Sequence, residues 1–426
     1  MKTLCFCFKI HQPYRLKRYR FFEIGNDHYY YDDFANESNT QYLSETSYLE
    51  ANKTLLEMIQ NSNKKFKVSF AISGLALEQF EQYAPEVIDS FRELAKTGCV
   101  EFLAMPYANS LAAVYNENEF QNQVKLQSEK IKELFGKTPS VFFNTEMIYS
   151  DEIAYQVSKM GYKSMIVEGA KHILGWKSPN MLYQSGKLKL MVRNGKLSDD
   201  LNYRFSNWQW DEYPLTADKF MNWIATAPEQ EDVFNVFVGY ETLGKFNSKE
   251  SGIFEFFKAL PIFALEKDIA FSLPSETLSK KVTAPQLSVP YPMSWADEEK
   301  DMSAWRGNDL QNEALNKLYE LSERVHLCSD RLLKHDWLCL QASDHFYYMC
   351  TKHFTNGKVA HESPYESPYD AFMNYMNVLS DFIARVEAQY PTTIENEELN
   401  SLLETINNQE KEIKALENKL KSKAKK

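Results

Sequence analysis

Asn235-Val236-Phe237-Val238-Gly239-Tyr240-Glu241-Thr242-Leu243-Gly244 is an apolar, β-prone run that stops abruptly in a polar loop. In a chain of alternating strands and helices, the end of such a strand lies on the rim where chemistry is assembled. Side chains two residues apart on a strand share a face, so Gly239 and Glu241 point the same way. One of them brings a carboxylate and the other brings nothing.

Working outward, the stretches 3–10, 66–72, 100–104, 140–144, 163–167, 188–192 and 269–273 also read as strands. Helical patterns fall between many of them, at 44–60 with Ser44 as N-cap, up to Gly98, at 117–135, from Ser150 onward, and at 217–225 and 253–264. The aromatic and charged passage 14–42 reads as a long loop over the rim. Strand and helix alternate over the first 280 residues or so, which is the pattern of a parallel (β/α) barrel. The proline-rich passage 284–292 marks a boundary, and beyond it the period is helical at 309–325, 329–337, 346–352 and 371–388. Three regions are therefore expected: a barrel over 1–283, a helical domain over 284–392 and a charged helix over 393–426. In that last helix Leu399, Leu402, Ile406, Gln409, Ile413, Leu416 and Leu420 recur in steps of three and four. The pattern reads either as a short coiled coil, with a homo-oligomer as its consequence, or as a helix packing on its own barrel.

Composition narrows the function. A net charge of −11 without a long basic run speaks against nucleic acid, whose phosphates require clustered Lys and Arg. No stretch reaches the apolar length of a membrane span, and the N-terminus is too short and too alternating for a signal peptide. Six scattered cysteines read as reduced core thiols, which points to the cytoplasm. The eight histidines are dispersed, and no P-loop, Gly-x-Gly-x-x-Gly or Gly-x-Ser-x-Gly occurs, so no metal or nucleotide cofactor is expected.

What remains is a cleft lined by carboxylates and aromatics, which suits carbohydrate. Glu146 follows an apolar strand in Phe142-Phe143-Asn144-Thr145-Glu146 and reads either as a rim carboxylate that can attack or transfer a proton, or as a helix-start acid. His11 and Glu78 fall at or just beyond other strand ends. Trp176, Trp208, Trp210, Trp295 and Trp305 could stack on sugar faces or pack in the core.

Several ordered blocks then carry a resemblance. They are His11-Gln12-Pro13-Tyr14-Arg15, Ser73-Gly74-Leu75-Ala76-Leu77-Glu78-Gln79, Asn144-Thr145-Glu146-Met147-Ile148-Tyr149, Tyr240-Glu241-Thr242-Leu243-Gly244 and Ser343-Asp344-His345-Phe346-Tyr347-Tyr348-Met349. From His11 to about residue 390 the chain resembles the α-amylase-type branch of glycoside hydrolase family 57. The resemblance implies an incomplete (β/α)7 barrel followed by a helical domain, and retaining chemistry on α-glucans without a metal. It implies that Glu146 is the nucleophile, that His11 and Glu78 lie in the substrate cleft, and that Asp344 and His345 stand beside it; Trp210 and Glu241 are expected to face the substrate as well. The family's acid/base is an Asp immediately before Tyr-Glu-Thr, and that position here is Gly239. Met105-Pro106 and Asn109 replace the family's usual Glu-Thr pair and His, and Lys245-Phe246 its usual Glu-His. The expectation is a glucan-binding protein that hydrolyses weakly or not at all. The alternatives are an active α-amylase or 4-α-glucanotransferase using another acid such as Glu241, or a scaffold acting through the terminal heptads.

Overall fold

The computed structural model describes residues 2–278, 284–354, 358–360, 362–389 and 394–423. The chain forms two compact units that are not separated by a single cut. The first holds residues 1–15, 32–307 and 342–344, and the second holds 16–31, 308–341 and 345–426.

The first unit is α/β. Its strands are β1 (Lys2–Ile10), β2 (Val68–Ile72), β3 (Val100–Phe102), β4 (Val141–Phe143), β5 (Ser164–Val167), β6 (Leu182–Ser185), β7 (Leu188–Val192), β8 (Val233–Gly239) and β9 (Ile269–Phe271). They form two sheets, one ordered β3-β2-β1-β8 with β9 also paired to β1, the other ordered β4-β5-β7-β6. All ladders are parallel except the β6–β7 hairpin, which the sequence pattern did not reveal. Among the described residues no continuous ladder closes the sheets into one barrel. Two isolated parallel bridges, Ala104 to Phe142 and Arg193 to Asn235, join them at their seams.

Each face of β1 serves a different layer, as its period of two requires. Leu4, Phe6, Phe8 and Ile10 pack with the helices in the outer core. Cys5 and Cys7 belong instead to an inner core with Ala71, Leu103, Val141, Phe143, Ile166, Met191 and Phe237. Phe143 and Phe237 stack there with ring centroids 4.6 Å apart. Tyr240, just beyond β8, is turned outward and buried, and its hydroxyl donates to Asn52 Oδ1 at 2.6 Å. All six cysteines are buried, none in a disulfide, and burial pushes the Cys7 thiol up to about 12.

The helix expected at 44–60 begins earlier. Asp32 caps a helix from Asp33 to Leu43 by accepting from the Ala35 amide, and this helix runs through a π-turn at Ser44–Tyr48 into Leu49–Asn61. Ser44 is therefore not an N-cap. It lies inside the helix, and its hydroxyl donates back to the Thr40 carbonyl at 2.6 Å, the alternative open to a mid-helix serine. Ser150 does cap the helix Asp151–Lys159, whose first two residues are acids that suit the positive end of the helix dipole.

The second unit is helical, with Asp309–Tyr319, Ser322–Leu327, Arg331–Leu340 and Pro368–Gln389 as its main elements. The strap 16–31 is fastened to the Pro368–Gln389 helix. Asn374 accepts from the Tyr19 amide at 2.7 Å, and Asp381 accepts from the Gly25 amide at 2.6 Å and the Tyr30 hydroxyl at 2.6 Å. Arg385 bonds Asp336 at 2.7 Å, which also accepts from the Tyr31 hydroxyl. A final helix spans Ile394–Lys423. Among the described residues no helix is long and apolar enough to cross a membrane.

Candidate active site

Parallel strands bring their C-terminal ends to one edge, and the chemistry-bearing residues of the first unit gather there. His11 follows β1, Ser73 follows β2, Glu146 follows β4 and Gly239 ends β8.

Glu146 lies in the 3-10 turn Thr145–Met147 with a backbone φ of 51°, and Met147 has 53°. A left-handed backbone costs a residue with a side chain about 1–2 kcal/mol, so the surroundings must hold this turn. The Asn144 amide donates to the Ile148 carbonyl at 2.8 Å, and the Trp295 N–H donates to the Glu146 carbonyl at 3.2 Å. The carboxylate is equally constrained. Its Oε1 accepts from Lys9 Nζ and from Asn109 Nδ2, the latter at 3.0 Å, and its Oε2 accepts from Trp295 Nε1. Burial alone would raise its pKa, and Asp344 adds in the same direction. The Lys9 ammonium, its hydrogen bond and that of Asn109 outweigh both and hold the carboxyl below its usual range. The group is ionised at neutral pH and oriented on both oxygens.

His11 is clamped from two sides. Its Nδ1 bonds the Ser73 hydroxyl and its Nε2 the Asp344 carboxylate, each at 2.8 Å. The same Ser73 hydroxyl caps the helix Gly74–Tyr83 by accepting from the Ala76 amide, so the helix start fixes the ring. One turn on, Glu78 accepts from the Tyr107 hydroxyl at 2.6 Å. Gly74 permits this approach, since a Cβ there would lie 2.3 Å from the Tyr107 ring.

Gly239 pairs in register with Lys9 across the β1–β8 ladder. A Cβ at 239 would meet only Glu241 Oε2 within 4 Å, at 3.2 Å. Glu241 thus turns back toward Gly239, and its Oε1 accepts from the Tyr48 hydroxyl and from Gln12 Nε2, the latter at 3.3 Å.

Trp210 and His345, also expected near the ligand, have packing partners. Trp210 lies against the outer core, its ring 6.3 Å from that of Trp223. His345 belongs to the second unit, buried, with Nε2 on the Cys339 carbonyl at 3.1 Å and its ring 5.5 Å from Tyr375. Sequence reasoning passed over Lys9 and the Trp295–Glu146 bond. Lys9 was legible: it lies two residues before His11 on the inward face that Cys5 and Cys7 begin. Trp295 was not, because it is far from Glu146 in the chain. Among the described residues no group of three or more His, Cys, Asp or Glu is placed to hold a metal ion.

A two-oxygen clamp on an ionised glutamate beside a clamped imidazole suits attack on a sugar carbon. The model of glycosyl hydrolase family 57 matches residues 5–291. The chain belongs to that family. A curated protein of Methanocaldococcus jannaschii named "Putative alpha-amylase" is 36% identical over 395 residues, 89% of this chain and 84% of that protein. The family 57 branching enzyme of Thermococcus kodakaraensis superposes with a TM-score of 0.65 at 13% identity over 94% of each chain. The 4-alpha-glucanotransferase of Thermococcus litoralis gives 0.59 at 17% identity, covering 81% of this chain and 56% of that one. At those identities the two structures testify to the fold.

Proposed function

We propose that this family 57 protein binds an α-glucan across the strand ends, keeps Glu146 as a glycosyl-accepting nucleophile, and hydrolyses slowly or not at all. The observation that carries the reading is the contrast between two strand ends. Glu146 is ionised and held on both oxygens, while Gly239 presents no side chain at the position where the family resemblance implies a proton donor. Retaining hydrolysis uses two carboxyl groups about 5–5.5 Å apart, one attacking C1 and one protonating the leaving oxygen. Without the second, binding and attack remain while departure of the sugar hydroxyl is unassisted. His11 with Asp344, and Glu78 with Tyr107, supply the hydrogen-bonding groups that a sugar hydroxyl can join.

A second reading has support in Glu241, whose Oε2 lies 3.2 Å from the position of a 239 Cβ. In that reading Glu241 is the acid of an active amylase or 4-α-glucanotransferase. Calorimetry with maltooligosaccharides, together with mass spectrometry after reaction with α-maltosyl fluoride, tests the first reading. Its fluoride leaves without protonation, so saturable glucan binding and one glycosyl group on Glu146 are expected, the latter absent in Glu146→Gln. No binding and no labelling would overturn the reading. Measurable glucan hydrolysis lost in Glu241→Gln would favour the second.

A further inference from the structure

Gly239 has an ordinary extended backbone, φ −63° and ψ 144°, so nothing in its conformation requires glycine. A Cβ there meets Glu241 Oε2 and no other atom within 4 Å, so the position is not crowded by packing. The residue in register on the next strand is Lys9, whose side chain is 20% exposed and whose ammonium already binds one carboxylate, that of Glu146.

We propose that the space at Gly239 is a docking site for a small monocarboxylic acid, held by the Lys9 ammonium, which supplies the acid/base function that the strand end lacks. The proposal rests on the reading of Glu146 as nucleophile. Parallel neighbours stand about 4.7–4.9 Å apart, and a lysine stem spans that distance, so one ammonium can serve Glu146 and a carboxylate at 239 together. Glu241 Oε2 completes the site. Two carboxyl groups so close do not both ionise readily, so the docked acid retains a shared proton, which a donor requires.

The steps balance. Glu146 Oε attacks C1 of the bound sugar, the glycosidic C1–O bond breaks, and the leaving oxygen takes the proton of the docked acid. The resulting carboxylate, paired with Lys9, then takes a proton from water. That water oxygen bonds to C1, the C1–O bond to Glu146 breaks, and the carboxylate of Glu146 and the docked acid are both restored. A glucan hydroxyl in place of water gives transfer instead of hydrolysis.

Formate and acetate are the probes, added to the full chain in carboxylate-free buffer at constant ionic strength with chloride as the control salt. Maltooligosaccharide cleavage is expected to rise at least tenfold and to saturate with formate, and chloride is expected to have no effect. Lys9→Met should raise the half-saturating formate concentration at least tenfold, and Lys9→Arg, which keeps the cation, should restore it. Gly239→Ala, a small change in the same backbone, should weaken the response to acetate more than to formate. Cleavage that is independent of formate, or rises equally with chloride, would overturn the proposal. So would a formate response unchanged in Lys9→Met. If Glu146 is not labelled by α-maltosyl fluoride in the wild type, the reading of the nucleophile has failed; if it is labelled and formate does nothing, only the docked acid has.

Discussion

Replacing Gly239 by Asp restores one carboxyl at the end of β8, and its effect can be worked out from the site. The extended backbone there accepts any side chain without strain. The new Cβ meets Glu241 Oε2 at 3.2 Å, the far end of a flexible side chain that can withdraw by a few tenths of an ångström. The new carboxyl then stands between two influences. Glu241 favours retention of a proton, and Lys9, in register on β1, favours its loss. The two carboxyls can therefore share one proton and titrate as a unit. That is the state a general acid needs before attack and loses after it.

Positioned proton transfer is worth about 10²–10⁴-fold, or about 2.7–5.4 kcal/mol at 1.36 kcal/mol per decade. Gly239→Asp should therefore release reducing ends from maltooligosaccharides at least about 10²-fold faster than the wild type. Glu146→Gln sets the blank, and Gly239→Asp with Glu146→Gln should fall back to it. The gain should not depend on added formate, since the acid is now covalently in place. The reasoning is refuted if Gly239→Asp folds with an unchanged circular dichroism spectrum, still accepts a glycosyl group on Glu146 from α-maltosyl fluoride, and yet cleaves glucan no faster than the blank.

Two further outcomes follow from groups away from Gly239. Asp381 is buried, and although burial opposes its charge, bonds from Tyr30, His28 and the Gly25 amide hold its carboxyl below the usual range. A depressed native pKa contributes stability that is fully present above the unfolded value of about 3.9 and is lost as pH falls through the native value. Asp381→Asn should thus lower stability by about 1.5–3 kcal/mol at pH 7, as loss of a charge-assisted bond does, with the gap to wild type closing below about pH 3.9 in urea titrations; a gap that stays constant with pH would contradict this. In the terminal helix Leu399, Leu402, Ile406, Ile413 and Leu416 are each at least half exposed. If this seam joins copies of the chain, light scattering should give the mass of an oligomer for the full protein and of a single chain after deletion of residues 394–426, whereas an unchanged assembly state would reject it.

How much of this was legible in the sequence depended on the range of the interaction. The strands were visible because an alternating or fully apolar run is a local signal, and β1, β2, β7 and β8 fall within two residues of their expected bounds. The β6–β7 hairpin escaped because Leu182–Ser185 carries only two buried residues and no period to announce it. The helix Asp33–Leu43 was hidden by polar and aromatic residues that resemble a loop, and it forms because Asp32 caps it and Asn36 and Thr40 face inward. In the site, Glu146 and His11 could be picked out from their places after strands. Lys9 could have been, from its place on the inward face of β1, but the bonds of Asn109, Trp295 and Asp344 could not, because long connections that local pattern does not encode bring these residues to their partners.

Register also changes the meaning of the glycine with which the sequence reading began. Read alone, Gly239 is the loss of one catalytic group. In the sheet it is one half of a pair, because the ladder that joins β1 to β8 sets Lys9 directly beside it. A carboxyl at 239 would share the Lys9 ammonium with Glu146, so each carboxyl alters the charge on the other. With glycine at 239 and no acid docked there, the Lys9 ammonium acts on Glu146 alone, and that carboxyl is kept ionised within a buried setting that would otherwise favour its protonated form. The two positions therefore form one electrostatic unit, and the consequences of substituting either should be measured with the other varied as well. A double-mutant cycle over Lys9 and Gly239 should show a coupling well outside the 0.3–0.5 kcal/mol or so within which independent sites add.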